Sequence, residues 1–378
     1  MKNNLTNILN KLTIRGFKSI RELENFELRN LNVFVGANGT GKSNLISFFE
    51  MLHKLMDGNL ADYIRENGGI NDILYNGLKT TEKMDFEMRF GVLGYRFTVK
   101  PTAKDGVALS KEALFCEYEN SDWYELGKRL YSSDDSSLLV EEAKNNTHDN
   151  KYCKPVYDAI MSWKVFHFHD TSSTAPMRRW EIIEDNKSLR SNASNIAPFL
   201  LRLREEYVTE YNEIVDACRI VMPYLKEFLL EEQLYEKAKG IKKTNLSWRT
   251  KNSDFPMQPY HLSDGSIRFI CLATALLQPK PPSTLIIDEP ELGLHPEAIR
   301  IIGELISSAA KRTQIIVATQ SPLLLDQFGI EDIIVVNCKD NQSVFERLKK
   351  EDFDKWLEDY STGELWAKNI IQGGVHFD

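Results

Sequence analysis

At 378 residues, 42% of them hydrophobic and 27% charged, the chain has the composition of an ordinary globular protein with enough apolar content for a large core. Mean hydropathy is −0.37, and no apolar run approaches the roughly 20 residues of a membrane-crossing helix, so no membrane association is expected. The net charge of −8 excludes a protein that coats nucleic acid everywhere, while leaving room for a local basic groove. Arg178, Arg179, Lys187 and Arg190 form one basic stretch and Lys242, Lys243, Arg249 and Lys251 another; solvated surface charge explains either as well as a groove does. The five cysteines are scattered and never in C-x-x-C spacing, which argues against a disulfide framework or zinc site and for a reducing cytoplasm. Lys11, Arg15 and Lys18 interrupt the apolar pattern at the N-terminus, so it does not read as a signal peptide.

Leu12–Arg15 and Leu31–Val35 are predicted strands, Ser43–Lys54 a helix with Leu45, Phe48, Phe49 and Leu52 on one side, and Asp85–Phe90 with Tyr95–Val99 an antiparallel pair. Residues 100–165 are polar and read as irregular, with soft spots at Ser132–Ser137 and Lys144–Lys151. From Asn195 the spacing predicts one helix of about 25 residues, roughly 35–40 Å long, ending before Pro223. No heptad repeat continues it, so no long coiled coil is expected. A helix after Ser263, strand Thr284–Ile287, helix Pro296–Ala310, strand Gln314–Ala318, a short helix at Pro322–Gln327 and strand Asp332–Val336 follow. The apolar runs among these strands suit parallel strands covered on both faces. The expected organisation is an N-terminal lobe over residues 1–100, an insertion over 101–240 and a C-terminal lobe over 241–378.

The sharpest motif is Gly36-Ala37-Asn38-Gly39-Thr40-Gly41-Lys42-Ser43, a P-loop set between a predicted strand and a predicted helix, as the pattern requires. By composition it arises by chance in roughly one chain in a hundred of this length. Its glycines let backbone N–H groups curl around a β-phosphate, and the helix N-terminus adds a favourable dipole. Lys42 is positioned to meet the β/γ oxygens and Ser43 to ligate Mg²⁺; Asn44 completes the segment. ATP with Mg²⁺ is the expected ligand pair. The second motif, Thr284-Leu285-Ile286-Ile287-Asp288-Glu289-Pro290, ends an apolar strand in two carboxylates. Asp288 suits the Mg²⁺ shell, and Glu289 is the candidate for polarising an attacking water.

Leu262-Ser263-Asp264-Gly265-Ser266 precedes a helix and lies 25 residues upstream of Asp288. Here the chain resembles the ABC ATPases, whose L-S-G-G-Q signature holds that place. The resemblance implies that Ser263, Asp264 and Gly265 dock on the γ-phosphate of ATP held by a second protomer; in isolation the same residues read as a helix cap. Glu291–Pro296 resembles the D-loop, and Ile315–Pro322 the switch strand, with Gln320 where relatives carry histidine. Glutamine donates a hydrogen bond but cannot become cationic. The family's Q-loop glutamine is missing, since no glutamine precedes Gln233; Asn71 and Asn76 are the candidate substitutes.

The phrase Leu12–Ile20, with Gly16-Phe17-Lys18-Ser19 at its centre, resembles the first strand of RecF- and SMC-like ATPases. Phe166–Ser172, Asp185–Arg190 and Gly363–Trp366 resemble phrases of compact, RecF-related bacterial ATPases of the AAA-21 type. These likenesses imply an α/β ABC-type head with an antiparallel β subdomain, a mostly helical insertion and no long coiled coil. They further imply an ATPase that forms a homodimer or higher oligomer and acts on or near DNA, in genome maintenance or antiphage defence, beside a co-encoded nuclease or TOPRIM-type effector. A sensor or scaffold that hydrolyses ATP slowly while controlling such an effector is the alternative. A transporter ATPase subunit is a third reading, disfavoured by the wide separation of Ser43 and Ser263. His167, His169 and Asp170 offer a metal too few ligands, so packing or a contact near the nucleotide is expected of them.

Overall fold

The computed structural model describes residues 8–102, 106–117, 122–126, 137–145, 150–234, 240–373 and 375–376. The chain runs through β1 (Lys11–Phe17), β2 (Ile20–Glu27), β3 (Leu31–Val35), α1 (Lys42–Met56), β4 (Met84–Phe90), β5 (Leu93–Pro101), β6 (Val107–Cys116), β7 (Trp123–Glu125) and β8 (Lys164–Phe166). It continues through α2 (Ile196–Glu206), α3 (Val208–Val221), α4 (Asp264–Leu277), β9 (Thr284–Asp288), α5 (Pro296–Ala309), β10 (Gln314–Thr319), β11 (Ile333–Lys339) and β12 (Gln342–Arg347). It divides into two compact units: Met1–Trp163 with Ile330–Glu358 and Lys368–Asp378, and Lys164–Gly329 with Asp359–Ala367.

In the first unit, a six-stranded sheet of order β2-β1-β4-β5-β6-β7 is antiparallel throughout. Its inward residues meet α1 in an aromatic cluster: Phe48 stacks on Phe86 at 5.4 Å and packs edge-on to Phe17 at 6.5 Å, while Phe49 meets Trp163 at 5.3 Å. Strand β4 alternates buried and half-buried positions along its length, the period of a sheet with one covered face. The same unit holds β3, parallel to β11, which pairs antiparallel with β12. All five residues of β3 are buried.

In the second unit, β8, β9 and β10 are parallel, with β9 in the middle. Helices α4 and α5 carry the continuous apolar faces that bury it: Ile267, Phe269, Ile270 and Cys271 on α4 and Ala298, Ile302 and Ile306 on α5 are all at most 1% exposed.

The predicted strands and helices correspond to these elements, but the single long helix and the irregular reading of residues 100–165 do not hold. The latter stretch also contains helices Leu138–Lys144 and Asn150–Ser162. The single long helix after Asn195 is two helices that meet at Tyr207, whose φ of −138° leaves the helical range. The stretch after residue 100 includes β6, ten residues whose middle is polar: Ser110 and Lys111 are exposed, while Glu112 is buried and accepts from the Tyr95 hydroxyl at 2.7 Å. Most of the Ser132–Ser137 soft spot and residues 146–149 of the other lie outside the described residues. Among the described residues no helix is long and apolar enough to cross a membrane.

Candidate functional site

In the first unit, β3 delivers the chain into the P-loop and α1 carries it away. Gly41 is the N-cap of α1, with φ +105°, and no side chain caps the helix there. The N-terminus of this 15-residue helix therefore carries no side-chain cap, the arrangement that suits an anion. A Cβ on Gly41 would overlap the Ser343 hydroxyl, so glycine is required both by conformation and by space. Lys42 is 6% exposed. Its ammonium donates to the carbonyls of Gly36 at 2.6 Å and Ala37 at 3.1 Å, folding back over the loop. The Thr40 hydroxyl donates to Ala37 O at 2.9 Å. Ser43 is exposed and Asn44 half-buried, and Asn44 Nδ2 donates to Ser19 Oγ at 2.6 Å. Asn38 and Gly39 form the outer turn of the loop, and Gly39 has open space around it.

Two residues of this cradle escaped the sequence reading. Ser343, on β12, donates to Thr40 O at 2.6 Å and lies 2.6 Å from Ser19 Oγ. Ser19 could have been found, since it sits inside the Gly16–Ser19 phrase; Ser343 has no motif around it. The Asn71 side-chain oxygen accepts from Leu78 N at 3.2 Å, and Asn76 occupies a left-handed turn at φ +52°. Both belong to a segment that closes on the end of β1 through Lys18 N to Ile73 O and Tyr75 N to Gly16 O.

In the second unit, Ser263 is the N-cap of α4. Its Oγ accepts from Ser266 N at 3.1 Å and donates to Ser266 Oγ at 2.8 Å. Ser263 and Asp264 are exposed. Asp264 pairs at 3.0 Å with Arg178, which also donates to Pro259 O and Leu262 O and so holds the signature turn from beneath. Gly265 approaches the D-loop closely: a Cβ there would lie 2.6 Å from Gly293 O.

Asp288 and Glu289 close β9. Glu289 adopts φ +46°, an uncommon conformation for a residue with a side chain, and its N–H donates to Ala318 O at 2.8 Å. Its Oε1 accepts from Gln320 Nε2 at 2.9 Å. Gln320 is itself fixed: its N–H donates to Glu291 Oε1 at 3.2 Å, and Thr319 Oγ1 donates to the same oxygen at 2.6 Å. Burial pushes the Glu291 carboxyl above its usual range, opposed by these hydrogen bonds, and its Oε2 is buried without a partner. The sequence assigned Glu291 only to the D-loop; its support of the switch strand is visible in the fold alone. Arg268, one turn into α4, donates to Phe168 O at 2.8 Å, His169 O at 3.0 Å and Leu292 O.

The histidines depart from expectation. The ligand atoms of His167 and His169 group with Asp288, all within 4.8 Å of one another. Asp170 instead accepts from the Ser172 hydroxyl at 2.7 Å and Ser172 N at 3.1 Å.

No curated protein matches the sequence. Among solved structures, the chain is similar to an SMC head bound to the C-winged helix domain of ScpA. The TM-score is 0.53 at 15% identity, covering 92% of this chain and 99% of that one. An SMC head domain from Thermotoga maritima aligns with TM-score 0.42 at 15% identity, over 90% of this chain and 99% of that one. The first likeness shows the fold, an ABC-type ATPase head. Residues 31–326 match the family described as "AAA domain, putative AbiEii toxin, Type IV TA system", a span that includes the P-loop, the signature turn and the paired carboxylates. The chain belongs to this AAA family and is an ATPase.

Proposed function

We propose that the protein is an ATP-gated, dimerising ATPase that acts on or near DNA together with a partner effector, in genome maintenance or antiphage defence. The observation that carries the gating is the signature turn. Ser263 and Asp264 stand exposed at the N-terminus of the 14-residue α4, a position suited to the γ-phosphate of ATP held by a second copy. The P-loop binds the nucleotide through its backbone, Lys42 neutralises charge on the β/γ oxygens, and Glu289, oriented by Gln320, polarises the attacking water. Ser43 offers a hydroxyl and Asp288 a carboxylate, each a hard oxygen donor of the kind Mg²⁺ takes. When bound, the ion supplies charge neutralisation on the phosphates.

DNA involvement rests on the RecF-like phrase at Leu12–Ile20. The basic stretches add little to it. Arg178 is committed to Asp264 and to carbonyls, and Arg190 lies 2.7 Å from Asp185. Lys242 pairs with Glu232 at 2.7 Å and Arg249 with Glu227 at 2.9 Å. A second reading, a sensor that hydrolyses slowly and controls an effector, is favoured by Gln320 itself, which cannot become cationic where relatives carry histidine. The toxin–antitoxin wording of the family description is compatible with such a partner.

The test compares wild type with Glu289→Gln in ATP turnover and in light-scattering mass, with and without ATP and DNA. Turnover of the variant is expected to fall about 100-fold or more, with an ATP-dependent dimer accumulating. Equal turnover would refute the role of Glu289, and a mass unmoved by ATP in both proteins would refute gating. Stimulation of the wild type by DNA supports the first reading; turnover indifferent to DNA leaves the sensor.

A further inference from the structure

We propose that His167, His169 and Asp288 form a binding site for a divalent first-row transition-metal ion. The sequence shows only a His-x-His pair, and the fold supplies the third ligand. Strands β8 and β9 are parallel in the register Leu285–Lys164, Ile286–Val165 and Ile287–Phe166. One further step along both strands sets His167 beside Asp288. In extended chain, residues two apart face the same way, so His169 follows His167 while Phe168 turns into the core, where it is 4% exposed. The imidazole centroids are 6.1 Å apart, and the ligand atoms of all three residues lie within 4.8 Å of one another.

The backbone that presents the pair is held from two sides. His167 N donates to Ser191 O at 3.0 Å, and Arg268 grips the carbonyls of Phe168 and His169. Arg268 is 5% exposed, so these bonds are shielded from water. The side chains alone then need to move. Donors around a first-row ion at about 2.0–2.2 Å stand roughly 3 Å apart, so rotamer adjustments of an ångström or two close the set.

The donor chemistry selects the ion. Two imidazole nitrogens and one carboxylate oxygen favour Zn²⁺, Mn²⁺, Fe²⁺ or Co²⁺ over Mg²⁺ and Ca²⁺, which prefer oxygen throughout. Three protein ligands leave coordination positions to water or another oxygen donor. All three ligands come from the second unit, so binding requires no nucleotide. The ion would nonetheless share Asp288 with the hydrolytic machinery, and transition-metal supply would bear on turnover.

The test uses untagged full-length protein, stripped by a chelator and titrated with Co²⁺ without ATP, reading visible d–d absorbance and calorimetric stoichiometry. One Co²⁺ per chain is expected, displaced by Zn²⁺ and retained in excess Mg²⁺. His169→Ala and Asp288→Asn are each expected to weaken binding by about tenfold or more. Lys42→Ala, which removes the P-loop ammonium, is expected to bind Co²⁺ like wild type, separating this site from nucleotide binding. His169 is exposed, so its replacement leaves the core intact; circular dichroism checks this, and His169→Gln serves as the second variant. Co²⁺ affinity unchanged in His169→Ala, or displacement by Mg²⁺ as readily as by Zn²⁺, would overturn the proposal.

Discussion

On the proposed reading, in which Glu289 polarises water, one hydrogen bond to Gln320 bears on the chemistry. The Gln320 amide orients the carboxylate at 2.9 Å, so Gln320→Ala removes a charge-assisted bond of about 1.5–3 kcal/mol. That corresponds to roughly 10–100-fold in rate; kcat is expected to fall by this factor while the KM for ATP changes little, as steady-state kinetics would show. The loop glycine makes a different demand. Gly41→Ala meets both the φ of +105° and the Ser343 hydroxyl, and loss of nucleotide binding is expected in a fluorescent-ATP titration. Ser343→Gly in the same chain removes the overlap with Ser343 but neither the 2.6 Å approach to Ser19 Oγ nor the conformational strain, so recovery should be partial. Glu291 predicts a pH effect. Its carboxyl is raised by burial from 4.5, so the folded state holds the proton more tightly than the unfolded one. Stability at this position is therefore full below about 4.5 and declines as pH rises toward the folded value. Glu291→Gln, which cannot ionise, should gain on wild type over that interval in denaturant melts. A variant that loses ground as pH rises would contradict the sign.

At the scale of elements, the motif-bearing pieces were legible because each couples a period to a punctuation mark. Leu31–Val35 stops at a glycine loop, Thr284–Ile287 stops at two acids, and Ser263 opens a helix. The pieces that were misread lack such marks. Nothing apolar changes between Glu206 and Val208, and the helical spacing runs on through Tyr207, so the break between α2 and α3 is a matter of backbone angle. The polar middle of β6 resembles a loop until β5 is beside it. The metal cluster was hidden for a related reason: its third ligand, Asp288, lies over a hundred residues from the His pair and is brought in by strand register. The aromatic packing of α1 gives this scale its prediction. Phe48 is fully buried and touches Phe17, Phe49 and Phe86. Phe48→Ala should cost about 3–5 kcal/mol, measured by chemical denaturation.

For the molecule as a whole, nucleotide binding and stability are linked. A ligand held only by the folded protein stabilises it by about 2.7 kcal/mol at 100 times its Kd, so ATP should raise the melting temperature of wild type and leave that of Lys42→Ala unmoved. The origin of the P-loop's supports has a further consequence, for the order of events on the ribosome. The Ser343–Thr40 hydrogen bond spans 303 residues, and β11, which pairs with β3, and β12, which pairs with β11, are among the later strands made. At about 5–20 residues per second, this span takes roughly 15–60 s to synthesise. Throughout that time the loop and the edge of β3 lack their partners, while the second unit, nearly all of it encoded between them, is already complete in sequence. The nascent chain is thus obliged to keep an ATP site open-sided for most of its synthesis, which makes the P-loop one of the last parts of the enzyme to mature.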